Sequence, residues 1–171
     1  MIHTIRVYIM VVLLVLVVGS SCRHNEADPA LVADFVELSP KSVVESRMQM
    51  HLDAVTNRDL ATLKKTLHPE GKIQLILPGM EIVNGVDGFM DFHAKWFAAS
   101  TEWSFETKIL NSEVGNNFAM VITELTYREP MRDGKPYYNR QVVSYVLENV
   151  EGQWFVIKDH CSSTEKSTDE R

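Results

Sequence analysis

Residues 86–109, VDGFMDFHAKWFAASTEWSFETKI, decide the fold because the hydrophobic period changes within them. In the first half, aromatic side chains recur at the i, i+3, i+4, i+7 and i+8 spacing of a helix: Phe89, Phe92, His93, Trp96 and Phe97. This stripe predicts an amphipathic helix. In the second half, every other residue belongs to a set of mostly apolar side chains: Trp103, Phe105, Thr107 and Ile109. The residues between them are charged or small and polar, and this alternation predicts a β-strand. We therefore expect helices before this point and strands after it.

The chain before this segment predicts two further helices and a short hairpin. Ser39 is a favourable N-cap and Pro40 suits the first helical turn, so we expect a helix over 40–56. A shorter helix is expected over 59–67. Pro78-Gly79 then separates two short apolar strands, as in a hairpin.

The chain beyond the segment predicts three more strands. Apolar and polar residues alternate over 118–129, 137–149 and 153–162. Asp133-Gly134 and Glu151-Gly152 lie between these stretches and favour hairpin turns. Helices followed by consecutive antiparallel strands are typical of an α+β fold, here a curved antiparallel sheet packed against three N-terminal helices.

The first 22 residues predict a targeting segment. Arg6 precedes an apolar run over 7–18, which is shorter than the ~20 residues that an ordinary membrane-spanning helix needs. Small residues and then Cys22 follow the run, and this order resembles a bacterial lipoprotein signal. Gly19 stands where such signals usually have Leu. We expect cleavage before Cys22 and lipidation of that residue; ordinary secretion with an incidental Cys22 is the alternative.

These features divide the chain into four expected parts. They are a signal peptide over 1–22, a tether over 23–38, a folded domain over 39–163 and a polar, disordered tail over 164–171. Lipidation would anchor the protein to a membrane of a bacterial cell envelope, with its domain outside the cytoplasm.

Charge and residue spacing argue against several kinds of partner. The chain carries a formal charge of −6 and no basic cluster, so we expect no nucleic-acid partner. Its two cysteines are Cys22 and Cys161, and acylation of the first would leave the second unpaired within the chain. The histidines lack the short spacings typical of zinc sites, so we expect no metal and no cofactor.

Four motifs give the domain a family resemblance: AVTNRDLATLKKTLHP, VNGVDGFMDFHAKWF, TKILNSEVGNNFAMV and EGQWFVIKDHCS. With the order of the elements, they resemble the nuclear transport factor 2-like superfamily. The local motifs are most similar to its SnoaL-like group and to the association domain of calcium/calmodulin-dependent kinase. The resemblance implies a cone-shaped fold with a pocket between the concave sheet face and the helices. Because this fold hosts enzymes, ligand binders and assembly modules, it does not by itself assign a function.

Strand alternation and the resemblance together predict which side chains line that pocket. We place Asp159 and Cys161 on the concave face of the last strand, because their set is the more apolar one. A three-residue loop over 150–152 would put Tyr145 opposite Ile157. The expected pocket residues are His93, Trp96, Thr123, Leu125, Tyr127, Gln141, Tyr145, Ile157 and Cys161.

Asp159 is the candidate catalytic base, since a carboxylate on an apolar face is costly unless it is paired or protonated. The alternative is a strand end in water. His160 follows it directly and should face the opposite way, which argues against an Asp-His or Cys-His pair from adjacent positions. On that outer face we expect a homodimer contact through Val142, Val146, Trp154 and Val156.

Three functions remain open at this point. The first is an envelope-anchored domain that binds a small, neutral, apolar or weakly polar molecule without converting it. Leu125, Tyr145 and Cys161 stand where the kinase association domain has arginines, which argues against an anionic ligand. The second is an isomerase, cyclase or dehydratase that uses Asp159. The third is a dimeric assembly module without catalysis.

Overall fold

The computed structural model describes residues 38–99 and 102–169. The expected signal peptide, the expected lipidation at Cys22 and nearly all of the expected tether lie outside these residues. Within the described part of the chain, no helix is both long enough and apolar enough to cross a membrane.

Between residues 38 and 99, three helices precede the long strands, as the hydrophobic pattern predicts. Helix α1 covers Pro40–Thr56, and the hydroxyl of its N-cap, Ser39, accepts a hydrogen bond from a backbone N–H of the first turn. Helix α2 covers Leu60–Lys65 and is somewhat shorter than expected. Helix α3, Gly85–Phe97, buries three members of the aromatic stripe: Phe89, His93 and Phe97.

In the described part of the chain, six strands form one curved, open sheet in the order β2-β1-β6-β5-β4-β3. Strands β1 and β6 are parallel, and every other neighbouring pair is antiparallel. The predicted α+β architecture is therefore confirmed, with one parallel pair that the sequence did not reveal. The strands are β1 Gln74–Ile76, β2 Ile82–Asn84, β3 Ser104–Val114, β4 Phe118–Arg132, β5 Lys135–Val150 and β6 Gln153–Lys166.

The turn between β5 and β6 is tighter than we expected. Val150 pairs with Gln153, so the loop contains only Glu151 and Gly152. Both have positive φ, 51° and 84°, as a type I′ turn requires. The expected three-residue loop, with Asn149 opposite Gln153, is therefore wrong.

A bulge on β6 reverses which side chains of that strand face inward. Leu147 pairs with Val156, but Val146 pairs with Lys158, so Ile157 is an extra residue without an opposite partner. Before the bulge, Trp154 and Val156 face the core; after it, Asp159 and Cys161 do. Tyr145 consequently lies opposite Asp159 and not opposite Ile157.

Strand β6 also runs further than the sequence predicted. It continues to Lys166, so residues 164–166 belong to the sheet and not to a disordered tail. Polar contacts on the outside of the sheet accompany this extension. Arg140 Nη1 lies 3.1 Å from Glu165 Oε2, and the Tyr138 hydroxyl donates to Glu165 Oε1 over 2.6 Å.

The hydrophobic core lies between the inner face of the sheet and the helices. Its most completely buried members come from α1, α3 and the three longest strands: Val44, Met48, Leu52, Phe89, Val121, Val143, Leu147 and Val156. This packing fixes the position of α3 over the strands, and so positions the site described next.

Candidate functional site

A cavity of about 360 Å³ lies between the helices and the inner face of the sheet. Small-molecule sites commonly have volumes of about 300–1,000 Å³. We call its buried end the floor, formed by His93, Tyr145, Asp159 and Cys161. We call its more exposed end the mouth, formed by Pro78, Arg132 and Tyr137. The half-buried rings between the two ends are aromatic: Phe92, Trp96, Phe105 and Tyr127.

Asp159 is the exceptional residue of the floor. It lies on β6 between Leu75 of β1 and Tyr145 of β5, and only 7% of its surface is exposed. No described residue gives its carboxylate a hydrogen bond or an ion pair. Burial therefore raises the pKa of Asp159 to about 7. The next residue, His160, is exposed on the outer face, as strand alternation requires.

The histidines near the floor are neutral. His93 Nδ1 lies 2.8 Å from the Phe89 carbonyl oxygen. Because a carbonyl can only accept, this nitrogen carries the hydrogen and Nε2 keeps a lone pair. Burial lowers the pKa of His93 to about 4. Burial, and after it repulsion from the protonated form of His93, lowers the pKa of His51 to about 3. His51 packs edge-on against Tyr145, with ring centroids 5.5 Å apart.

The other two floor groups also keep their protons at neutral pH. The Cys161 thiol donates to Gln141 Oε1 over 3.0 Å. Burial, followed by the charge of Asp159, raises the pKa of Cys161 to about 12. The same two causes, in the same order, raise the pKa of Tyr145 well above its usual value. Asp159 is thus the one floor group that changes its charge near neutral pH.

A second buried carboxylate, Glu129, lies behind the mouth against Arg132, and this one has partners. The Tyr127 hydroxyl donates to Glu129 Oε1 over 2.5 Å, and Arg132 donates to both Glu129 oxygens, with Nε 2.9 Å from Oε2. These hydrogen bonds, those from Arg132 first, lower the pKa of Glu129. The Arg132 guanidinium also stacks on Tyr137, 3.5 Å from the ring centroid.

A second bulge brings Arg132 to the side of the sheet on which Glu129 lies. Glu129 pairs with Tyr137, whereas Arg132 pairs with Lys135, so β4 contains an extra residue between them. Pro130 lies in this interval and has no N–H to contribute to a ladder of hydrogen bonds.

Most of the side chains expected in the pocket line this cavity: His93, Trp96, Leu125, Tyr127, Gln141, Tyr145 and Cys161, together with the candidate base Asp159. Two do not. Thr123 is buried in the sheet, where its hydroxyl donates to the Val143 carbonyl oxygen over 3.5 Å. Ile157 lies off the cavity because it is the extra residue of the β6 bulge.

Several lining residues were not predicted. Tyr137 and Asn139 continue the alternation of Gln141 along β5 and lie within the expected strand over 137–149, so alternation could have identified them. Phe92 belongs to the α3 stripe, and Phe105 alternates along β3. Arg132 had no such signal, because its orientation depends on the bulge in β4.

The expected dimer face needs a correction. Trp154 and Val156 are 6% and 0% exposed and belong to the core, because they precede the β6 bulge. Val142 and Val146 do lie on the outer face, where they are half-buried. Three exposed side chains of β3 and β4 add to the apolar character of the sheet surface: Leu110, Phe118 and Met120.

No group of three His, Cys, Asp or Glu side chains within residues 38–99 and 102–169 is arranged to hold a metal ion.

No curated protein matches the chain.

Solved structures share the fold at low sequence identity. A Streptomyces avermitilis protein of the NTF2-like family is 17% identical, with a TM-score of 0.63 over 74% of this chain and 97% of its own. A hexachlorocyclohexane dehydrochlorinase, LinA-type3 from Novosphingobium barchaimii, is 14% identical, with a TM-score of 0.64 over 74% and 88%. The association domain of C. elegans CaMKII is 20% identical, with a TM-score of 0.56 over 71% and 94%. These similarities establish the cone-shaped NTF2-like fold and leave the activity open.

The family follows from the sequence itself. Residues 44–165, most of the chain and nearly all of its folded part, match the model of one domain family. The chain belongs to the family of SnoaL-like domains.

Proposed function

We propose that the protein binds a small, largely apolar molecule in the cavity between α3 and the sheet. The observation that carries this proposal is the cavity of about 360 Å³ itself, with aromatic walls and a few polar groups at its floor. A few polar groups in a mostly apolar concave site fix the orientation of a ligand, while the apolar walls supply binding energy.

Acid–base catalysis is the second candidate, and the state of Asp159 favours it. A proton acceptor works best when its pKa is close to the working pH, and burial brings the pKa of Asp159 to about 7. The Tyr145 hydroxyl lies opposite on β5 and could donate to a carbonyl oxygen of the substrate. In this form the protein would be an isomerase, cyclase or dehydratase.

Envelope anchoring and dimerisation belong to the same proposal. The apolar run over 7–18 followed by Cys22 supports a lipid anchor, in which case the cavity would face the outside of the cytoplasm. Val142 and Val146, with the exposed Met120 on the neighbouring strand, support a homodimer through the outer face of the sheet.

Native mass spectrometry of the full chain, extracted from membranes in detergent, tests these points together. We expect the mass of a dimer, the mass of a lipid on each chain and a retained small molecule. Cys22→Ala should remove the lipid mass and release the protein from membranes. Cys161→Phe fills the floor and should remove the retained molecule, whereas Ser162→Phe adds the same ring to the outer face and should keep it. Gln141→Phe fills the cavity from β5 and serves if Cys161→Phe does not fold.

Equal retention of the small molecule in the floor-filling and outer-face variants would contradict binding in the cavity. A monomer at micromolar concentration would contradict the dimer, and lipid on the Cys22→Ala variant would contradict the anchor.

Catalysis has a separate test. The protein should accelerate deuterium exchange at the carbon next to the carbonyl of α-tetralone, and Asp159→Asn should abolish the acceleration. Exchange that is equal in the two proteins would exclude Asp159 as the base.

A further inference from the structure

We propose that the ligand carries a basic nitrogen, bound as an ammonium group by the Asp159 carboxylate at the floor, with its apolar part against the aromatic walls. This inference rests on the proposed binding of a small molecule in the cavity and specifies the chemistry of that molecule.

The charges around the cavity leave one position for a cation. Of the residues that the structure describes, two with formally charged side chains line it, Arg132 at the mouth and Asp159 at the floor. Arg132 is already neutralised, because its guanidinium donates to both oxygens of Glu129. Asp159 has no such partner among the described residues and is more than nine-tenths buried. A cation inside the cavity would pair with the carboxylate that the protein leaves unpaired.

The hydrogen bonds of the floor also favour a cationic ligand. The ring N–H of His93 is donated to the Phe89 carbonyl, and the Cys161 S–H is donated to Gln141. Among the four floor residues, what remains open to a ligand is the His93 Nε2 lone pair, the Asp159 carboxylate and the hydroxyl of Tyr145, which can donate or accept. A carbonyl oxygen could accept the hydrogen of Tyr145, but it would find no donor on His93 Nε2 or on the ionised Asp159. An ammonium group brings up to three donors and no acceptor.

The walls suit a cation that is attached to an apolar body. Phe92, Trp96, Phe105 and Tyr127 present rings between mouth and floor, and ring faces attract cations as well as apolar groups. The structure already shows this pairing at the mouth, where the Arg132 guanidinium lies 3.5 Å from the Tyr137 ring centroid. Apart from Arg132, no Lys or Arg side chain among the described residues lines the cavity, which disfavours an anion and is compatible with a cation.

Binding should depend on pH because the ammonium group requires the ionised form of Asp159. The groups that face Asp159 are Leu75 from β1, Tyr145 from β5, Cys161 on its own strand and His93 from α3, with the Glu129–Arg132 pair at the mouth. The pKa shifts of the titratable groups in this set keep their charges constant from pH 6 to pH 8. Asp159, with its pKa of about 7, therefore controls the pH dependence in this range.

The test compares 2-phenylethylamine with propylbenzene, which places a methyl group where the amine has its ammonium group. Isothermal titration calorimetry of the full chain at pH 6, 7 and 8 measures both affinities. At pH 8 we expect the amine to bind at least about tenfold more tightly than propylbenzene. Its affinity should rise about tenfold from pH 6 to pH 8, because the ionised fraction of Asp159 rises by that factor. At pH 6 its binding should release close to one proton, which titrations in buffers of different ionisation enthalpy count.

Two variants complete the experiment. Asp159→Asn should remove the preference for the amine and its pH dependence, whereas Asp91→Asn, an exposed carboxylate on α3, should keep both. Equal affinities of wild-type protein for the two compounds, without proton release, would overturn the inference and leave the proposed binding function standing. If neither compound binds, the inference is again overturned, and retention of a molecule in native mass spectrometry decides separately whether the cavity binds a ligand. The pH dependence of the wild-type protein remains decisive if a variant does not fold.

Discussion

Asp159 and Glu129 are two carboxylates that water barely reaches, with 7% and 5% of their surfaces exposed, yet their pKa values move in opposite directions. Glu129 accepts hydrogen bonds from Tyr127 and Arg132, and its pKa is lowered. Asp159 lies between Leu75 and Tyr145 without a partner among the described residues, and its pKa is raised to about 7. Lack of exposure alone therefore does not determine the charge of a carboxyl group; the donors around it do.

The difference also separates a structural role from a functional one. Glu129 stabilises the mouth, because each of its carboxylate oxygens accepts a hydrogen bond. Two of the three bonds come from the Arg132 guanidinium, which stacks on Tyr137. Asp159 contributes no such interaction and costs stability when it is ionised. A residue that destabilises its own fold in the working pH range is a good candidate for a role with a ligand or substrate.

Asp159→Asn should change the stability of the folded protein more than the other substitutions proposed here. The folded pKa of Asp159, about 7, exceeds its ordinary value of 3.8, so the wild-type protein loses stability as pH rises between these values. The loss amounts to about 4 kcal/mol at pH 8, and the variant should not suffer it. Thermal melts from pH 4 to pH 8 should show equal stability at pH 4 and a much more stable variant at pH 8.

If the two proteins melt together at every pH, Asp159 is a solvated strand end, and its contrast with Glu129 disappears. A variant that is less stable than the wild type at pH 8 would mean that Asp159 accepts hydrogen bonds in the folded protein. Asp91→Asn on the exposed side of α3 is the control and should change the melts little at any pH.

Arg132→Leu should remove the main partner of Glu129 and make it resemble Asp159. We expect a loss of about 2 kcal/mol at neutral pH, below the cost for a fully buried pair because 39% of the Arg132 side chain is exposed. The lowered pKa of Glu129 stabilises the wild type above its ordinary value of 4.5 and stops doing so as pH falls through the folded value. The deficit of the variant should therefore shrink in acid.

Arg128→Leu provides the matched control, since Arg128 is also on β4 but pairs with an exposed carboxylate, Glu106. Urea unfolding at pH 7 and pH 3 measures both variants. Equal losses for the two arginines would show that the Glu129 pair contributes no more than a surface pair.

Tyr127→Phe should give the smallest effect. It removes one donor to Glu129 and leaves both bonds from Arg132, so we expect a loss of about 1 kcal/mol. Tyr138→Phe removes a similar bond to Glu165, whose side chain is 39% exposed, and should cost less because water can replace the hydroxyl. Denaturant midpoints of the two variants make the comparison, and an equal loss would argue that Glu129 is accessible to water.

The helices and turns of this fold were predictable because their signals are local. Ser39 and Pro40 mark the start of α1, and the aromatic stripe defines α3 without reference to the rest of the chain. Asp133-Gly134 and Glu151-Gly152 adopt the left-handed conformations that such pairs favour in two-residue hairpins. Gln141 and Tyr145 also lie on the inner face as expected, but that expectation depended on a three-residue loop between β5 and β6; it holds because the shorter turn and the β6 bulge offset each other.

The bulges were not predictable, because no residue pattern marks the position where one strand gains a residue over its partner. On β6 the shorter turn and the bulge at Ile157 have opposite effects on alternation. Asp159 and Cys161 therefore face inward as expected, while Trp154 and Val156 exchange sides with their neighbours. On β4 the bulge before Arg132 creates the partner of Glu129. The sequence could thus identify the floor of the cavity but not its mouth.

The parallel pairing of β1 with β6 has a consequence for the kinetics of folding. Lys158 Nζ donates to Gln74 Oε1 over 3.2 Å across 84 residues of chain, whereas the β4, β5 and β6 hairpins close locally. Contacts between such distant segments have a large loop-closure entropy and form late. Because Asp159 pairs with Leu75 of β1, we expect its carboxylate to lose its water only at that late step. Between pH 4 and pH 8 the unfolding rate constant should therefore rise while the refolding rate constant stays nearly unchanged, since the transition state still solvates the carboxylate.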